Sequence, residues 1–143
     1  IEEIDILPAL FGQIYIPEKV AAELKHPKAP SRLRMWMARP PVWLEIAAVR
    51  ERAFPGLEQL QAGERETIQL TEELGAALVI LDDRRAREAA LRRGMEVTGL
   101  LGVLGRAADR KLIVLSQAFE RLRQTTFRTE PRFLKAFLDR YDR

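Results

Sequence analysis

The chain has 143 residues, enough for one domain with a proper core, and its 47% hydrophobic and 31% charged residues suit a globular rather than a disordered protein. Cysteine is absent and His26 is the only histidine. Disulfides and thiolate metal sites are therefore excluded, a histidine-built zinc site or a Ser–His triad has too few residues to work with, and any metal must take oxygen ligands. Lys and Arg outnumber Asp and Glu by 24 to 21, and most of the cations are arginine, whose guanidinium matches phosphate oxygens two at a time. Surface charge kept for solubility accounts for the same count equally well. No apolar run approaches the length of a membrane span and no signal peptide is present. The expected setting is the cytoplasm, away from the membrane.

The first apolar residues, Ile4, Ile6, Leu7, Leu10 and Phe11, lie at helical spacing, and Gly12 ends that helix. Ile14-Tyr15-Ile16 predicts a short strand. Pro17 suits the first turn of a helix running to Lys25, which places Val20, Glu23 and Leu24 on one face. A second helix is expected over 29–38, ended by Pro40-Pro41, then a strand over 42–49. Residues 50–61 read as a polar connection. A helix from Gly63 to Leu74 leads to an apolar strand over 77–81. That strand shows no alternation, as expected when both of its faces are covered. A basic amphipathic helix spans 83–93 and ends at Gly94, followed by a strand over 95–97. Thr98-Gly99 then opens a helix carrying Leu100, Leu101, Val103 and Leu104. Residues 111–114 fit no element clearly, and helices over 116–125 and 130–141 close the chain. Strands alternating with helices predict a single α/β domain, a three-layer α/β/α sandwich around a small parallel sheet.

Three acids stand where chemistry is plausible. Glu64 opens a helix, with Thr67, Ile68 and Thr71 on its face. A carboxylate aimed inward needs a partner such as a cation, although favouring the positive end of the helix dipole explains it too. Glu66 lies off that face and reads as a solvated acid. Asp82 and Asp83 end a strand, and one of them is expected to cap the next helix. Asp82 follows the strand directly and is the favoured metal-site residue; Asp83 is then the cap or a water-mediated ligand. Glu23 sits at the edge of a core-facing stripe. Of the arginines that follow, Arg84 and Arg85 are nearest the acids and best placed to hold a nucleic-acid backbone, the rest serving as a solvated helix face. Lone His26 before Pro27 reads as a turn residue. Trp36, Trp43, Phe133, Phe137 and Tyr141 read as core or interface.

The ordered set Ile14-Tyr15-Ile16-Pro17, Val20-Ala21-Ala22-Glu23-Leu24, Gly63-Glu64-Arg65-Glu66-Thr67-Ile68, Leu78-Val79-Ile80-Leu81-Asp82-Asp83 and Val97-Thr98-Gly99-Leu100 resembles the PIN-domain family. The likeness is greatest to its branch of predicted nucleic-acid-binding proteins related to VapC toxins, and it covers nearly the whole chain. It implies a parallel sheet with acids gathered at its carboxyl edge and cleavage of RNA with Mg²⁺ or Mn²⁺. Glu23, Glu64 and Asp82 match the family's acids. The resemblance also implies a small antitoxin partner and a homodimer. One departure stands out. PIN proteins begin with a strand ending in an aspartate that is a central metal ligand, and here Ile1 follows the point where it belongs; Asp5 sits inside the next helix and is no substitute. Either the natural protein has a further N-terminal segment, which is the expectation, or the chain is an inactive relative that binds RNA or a protein. A nucleotide-binding domain of flavodoxin type lacks its Gly-rich phosphate loop, since Gly99, Gly102 and Gly105 do not make that pattern.

Overall fold

The computed structural model describes residues 6–123. Helix α1 (Ile6–Phe11) ends at Gly12, whose φ of +71° is a turn that suits glycine. Strand β1 (Ile14–Pro17) leads straight into helix α2 (Glu18–Lys25), with Pro17 at the position before the first turn, where its missing N–H costs nothing. Helix α3 (Ser31–Ala38) follows, then strand β2 (Leu44–Ala47), which pairs in parallel with β1, Ile14 opposite Leu44 and Ile16 opposite Ile46.

Helix α4 (Ala62–Leu74) stops at Gly75, in the left-handed conformation at φ +61°. Strand β3 is short (Val79–Ile80) and is followed by helix α5 (Arg84–Arg92), then strand β4 (Val97–Thr98). β3 and β4 are also parallel, with Val79 opposite Val97 and Ile80 opposite Thr98. The predicted α/β architecture with parallel strands therefore forms. The difference lies in the sheet, which among the described residues is two separate pairs, β1–β2 and β3–β4.

Residues 7–99 make one compact unit. Its main core joins Ile68 of α4, Val79 of β3 and Leu81 just after it, and Ala86, Ala89 and Ala90 of α5. Leu57 and Leu60 complete this core, so the 50–61 connection, read from sequence as polar, contributes two anchoring side chains. The connection is tied further. The backbone N–H groups of Arg50 and Glu51 donate to Glu73 at 2.7 and 2.9 Å. Those bonds and one from the Gln69 amide hold the Glu73 carboxyl below the usual carboxylate range, the Glu51 bond contributing most. Arg93 bonds to Glu72 and to the Pro55 carbonyl.

Two further expectations are corrected. Glu66 is no solvated acid: it is buried, and accepts from the Lys19 N–H at 3.1 Å and from Arg52 at 3.3 Å. It thereby fastens the first turn of α2 to α4. Nor is β3 covered on both faces, since Val79 and Leu81 are buried while Ile80 remains 38% exposed.

Among the described residues, the second unit takes in Ile6 and residues 100–123. In it helix α6 (Leu100–Asp109) buries Val103, Leu104 and Ala107, and a turn with Lys111 at φ +59° leads to helix α7 (Leu115–Arg123). The expected helix over 130–141, with Phe133, Phe137 and Tyr141, and the position of Asp5 lie outside the described residues. No helix among the described residues is long and apolar enough to cross a membrane.

Candidate functional site

Between the two strand pairs lies a cavity of about 820 Å³. One wall is β1 with Gln13, and the other is the 76–83 segment containing β3. Its floor is one face of α4: Glu64, Thr67, Thr71 and Leu74 succeed each other at helical spacing. The two threonine hydroxyls are spent on the helix itself, donating to the Gly63 and Thr67 carbonyls at 2.7 Å each. The floor is therefore more apolar than its sequence suggests.

The charged side chains lining the cavity are all acids, Glu23, Glu64, Asp82 and Asp83. Glu66 and Lys19 hold the start of α2 against α4, and the Glu23 carboxylate rests against Gly63 in the first turn of α4. Asp83 at the far end of β3 is close enough to act on Glu64 electrostatically. The residues after β1 and after β3 thus both reach the first turns of α4, and Glu23, Glu64, Asp82 and Asp83 all line the cavity. In an open α/β sheet the crevice beyond the strand carboxyl ends is where ligands bind.

Each acid is seated differently. Glu64 accepts from the Gln61 N–H at 3.3 Å, a helix-start bond, so the structural role considered from sequence is present. Its pKa is nonetheless raised, first by partial burial and then by the negative charges of Asp83 and Glu23, which outweigh the Gln61 bond. Asp83 is the cap of α5, accepting from the Ala86 N–H at 3.1 Å. Glu23 and Asp82 share another device. A β-carbon on Gly63 would stand 2.9 Å from Glu23 Oε1, and one on Gly99 would stand 2.8 Å from Asp82 Oδ1. Both carboxylates lie in space that only glycine leaves open.

The arginines divide unexpectedly. Arg84 and Arg85 are exposed on the first turn of α5 and do not line the cavity, and Arg84 bonds to Glu88 at 3.1 Å. Arg87 is one turn further along, yet its guanidinium comes within 3.7 Å of the same Gly99 position that Asp82 touches. Proximity in sequence favoured Arg84 and Arg85; helical periodicity, which returns to the same face after three or four residues, was the signal pointing to Arg87.

The donor chemistry, carboxylate oxygens with no sulfur and no imidazole, suits a hard divalent cation. Among the described residues, however, no three acids come together as a ready-made cage. The structure thus lines a crevice between pairs of parallel strands with carboxylates, in an α/β arrangement. A family model described as PIN domain matches residues 1–143, and the chain belongs to that family. PIN domains are generally nucleases and typically use divalent metals. No curated protein and no solved structure matches the chain.

Proposed function

We propose that this PIN-domain chain is a Mg²⁺- or Mn²⁺-dependent endoribonuclease. The observation that carries the reading is that Glu23, Glu64, Asp82 and Asp83 line one cavity, with the pKa of Glu64 raised by partial burial and then by the charges of Asp83 and Glu23. Carboxylates that repel one another at the mouth of a crevice are stabilised by a cation. Glu64 and Asp82 would hold it, with Glu23 as a further donor or as the acceptor that orients a water, and Asp83 acting through water. A further carboxylate would complete the set. A divalent cation in that position supplies positive charge against the phosphodiester and makes water a better nucleophile near neutral pH. Arg87, beside Asp82, would steady the scissile strand, while Arg84 and Arg85, which do not line the cavity, would meet more distant phosphates.

Exchange of Glu64→Gln or Asp82→Asn should abolish Mn²⁺-dependent RNA cleavage by the native protein while leaving its circular dichroism unchanged. Full activity in both variants would defeat the assignment. The toxin role, a small antitoxin, a homodimer and a cytoplasmic setting belong to the same proposal, and their support is the likeness to the VapC-related branch. A second reading, a catalytically inactive module that binds RNA or protein, is favoured by the absence of a three-acid cluster among the described residues. Titration of the native protein with Mn²⁺ separates the two: tight, Glu64-dependent binding supports the nuclease, and none supports the module.

A further inference from the structure

Charge is distributed unevenly along the chain. Residues 24–44 hold Lys25, Lys28, Arg32, Arg34 and Arg39 and no acid, while the net charge of the whole is only +3, so the remainder is net acidic. Among the described residues none of these five cations forms an ion pair. Both tryptophans of the chain, Trp36 and Trp43, lie in the same stretch. Helix α3 arranges the set. Arg32, Met35 and Trp36 share one face at helical spacing, with Arg39 at the helix end a turn further on, and Met37 is buried on the other side. The Pro41 carbonyl then accepts the Leu44 N–H at 3.1 Å, which closes a turn with Val42 and Trp43 at its corners. Trp43 packs on Trp36, ring centroids 5.9 Å apart and planes tilted by 47°, and so fastens the turn to α3. Both indoles stay half-exposed, Met35 is 76% exposed and Val42 98%. The outcome is a ridge of apolar tips set among guanidinium groups.

We infer that this ridge holds single-stranded RNA outside the crevice. A single strand carries a negative charge at every nucleotide and, between charges, a flat base with an open face. Arg32 and Arg39 meet its phosphates; Met35, Val42 and the outer edges of the tryptophans meet its bases. Other occupants fit less well. A second copy laid on this face would set like charges against one another. A partner helix seeks an apolar groove, whereas a side chain 98% exposed stands on a prominence that only a flexible chain can follow. α3 packs on α2, the helix that brings Glu23 to the cavity, so a strand held on the ridge stays on the unit that bears the acids. The choice of RNA among single strands rests on the ribonuclease reading; the binding itself needs neither metal nor cleavage.

The chain has no other tryptophan, so indole fluorescence reports on the ridge alone. The probe is an oligouridylate about 12 nucleotides long, added to the protein in EDTA so that no cleavage occurs. It should quench this fluorescence saturably. Arg32→Gln combined with Arg39→Gln should weaken binding by about 10-fold or more at low salt and lower the slope of log K against log salt by about 1.4, the value for two phosphate contacts on a single strand. Met35→Ser combined with Val42→Ser, at side chains too exposed to matter to the fold, should weaken binding several-fold and leave that slope unchanged. Glu64→Gln should bind as the parent does, so failure of the metal-site assignment and failure of the ridge are told apart. Absence of quenching overturns the inference. So does quenching that survives both double variants, or tighter binding of an acidic amphipathic peptide or of phosphatidylserine vesicles than of the RNA, since those results mark a protein or membrane surface.

Discussion

Gly63 and Gly99 make room for Glu23 and Asp82, and that room is testable. Gly63 lies inside α4, where alanine is the better helix former by about 1 kcal/mol. Its new β-carbon would push aside a carboxylate now 2.9 Å away. Gly63→Ala is therefore expected to keep or raise Tm while lowering Mn²⁺-dependent cleavage on the order of 10²-fold, the usual consequence of misplacing a reacting group by an ångström. Unimpaired cleavage would remove Glu23 from the proposed site. Glu64 supplies the pH dependence. Burial and two negative neighbours raise its pKa, so the folded protein keeps this proton to higher pH than the unfolded chain does. The stability linked to this proton is complete below the unfolded carboxylate range and is lost as pH rises through the raised folded value. Glu64→Gln should therefore melt higher than the parent at neutral pH, with the gap closing in acid. Mn²⁺ should raise the Tm of the parent and not of the variant. A variant that melts lower at neutral pH would show that the Gln61 bond outweighs the repulsion.

At the scale of elements, most boundaries were legible because they rest on local chemistry. Gly12, Gly75 and Gly94 end the segments they were expected to end, each with φ positive, and Asp83 caps α5. What escaped the sequence were long-range contacts. Leu57 lies in a stretch read as polar, and only the folded chain brings it into the same core as Ile68 and Ala90. Glu66 is a surface acid by helical periodicity alone; the Lys19 N–H and Arg52, 47 and 14 residues away, convert it into a tie between α2 and α4. Removing that acceptor strands a backbone donor in a part-buried place, so Glu66→Ala should cost about 1–3 kcal/mol in urea unfolding, with Glu66→Gln recovering much of it through the Lys19 bond. Equal losses in the two variants would mean that Arg52, which needs the charge, carries the tie.

For the molecule as a whole, the class of fold followed from alternating strands and helices, and the family followed from five short motifs in order. The gathering of Glu23, Glu64, Asp82 and Asp83 around one crevice was suggested by those motifs, but its geometry depends on α4 running back against both strands, which no single motif encodes. The division of the strands into two pairs was not legible from the described segments, because the apolar residues of 77–81 are the same whether a neighbour lies on one side or two. Arg87 shows the same limit at the site: its place beside Asp82 is set by how α5 is rotated against the strand before it.

β1 closes on Pro17, an imide with no hydrogen to give. Any foreign backbone zippering along that rim finds a donor at Tyr15 and then runs out, just where the chain turns away into α2. A single ring thus acts as a doorstop against indefinite edge-to-edge stacking, a hazard that exposed sheet rims otherwise carry into crowded solution.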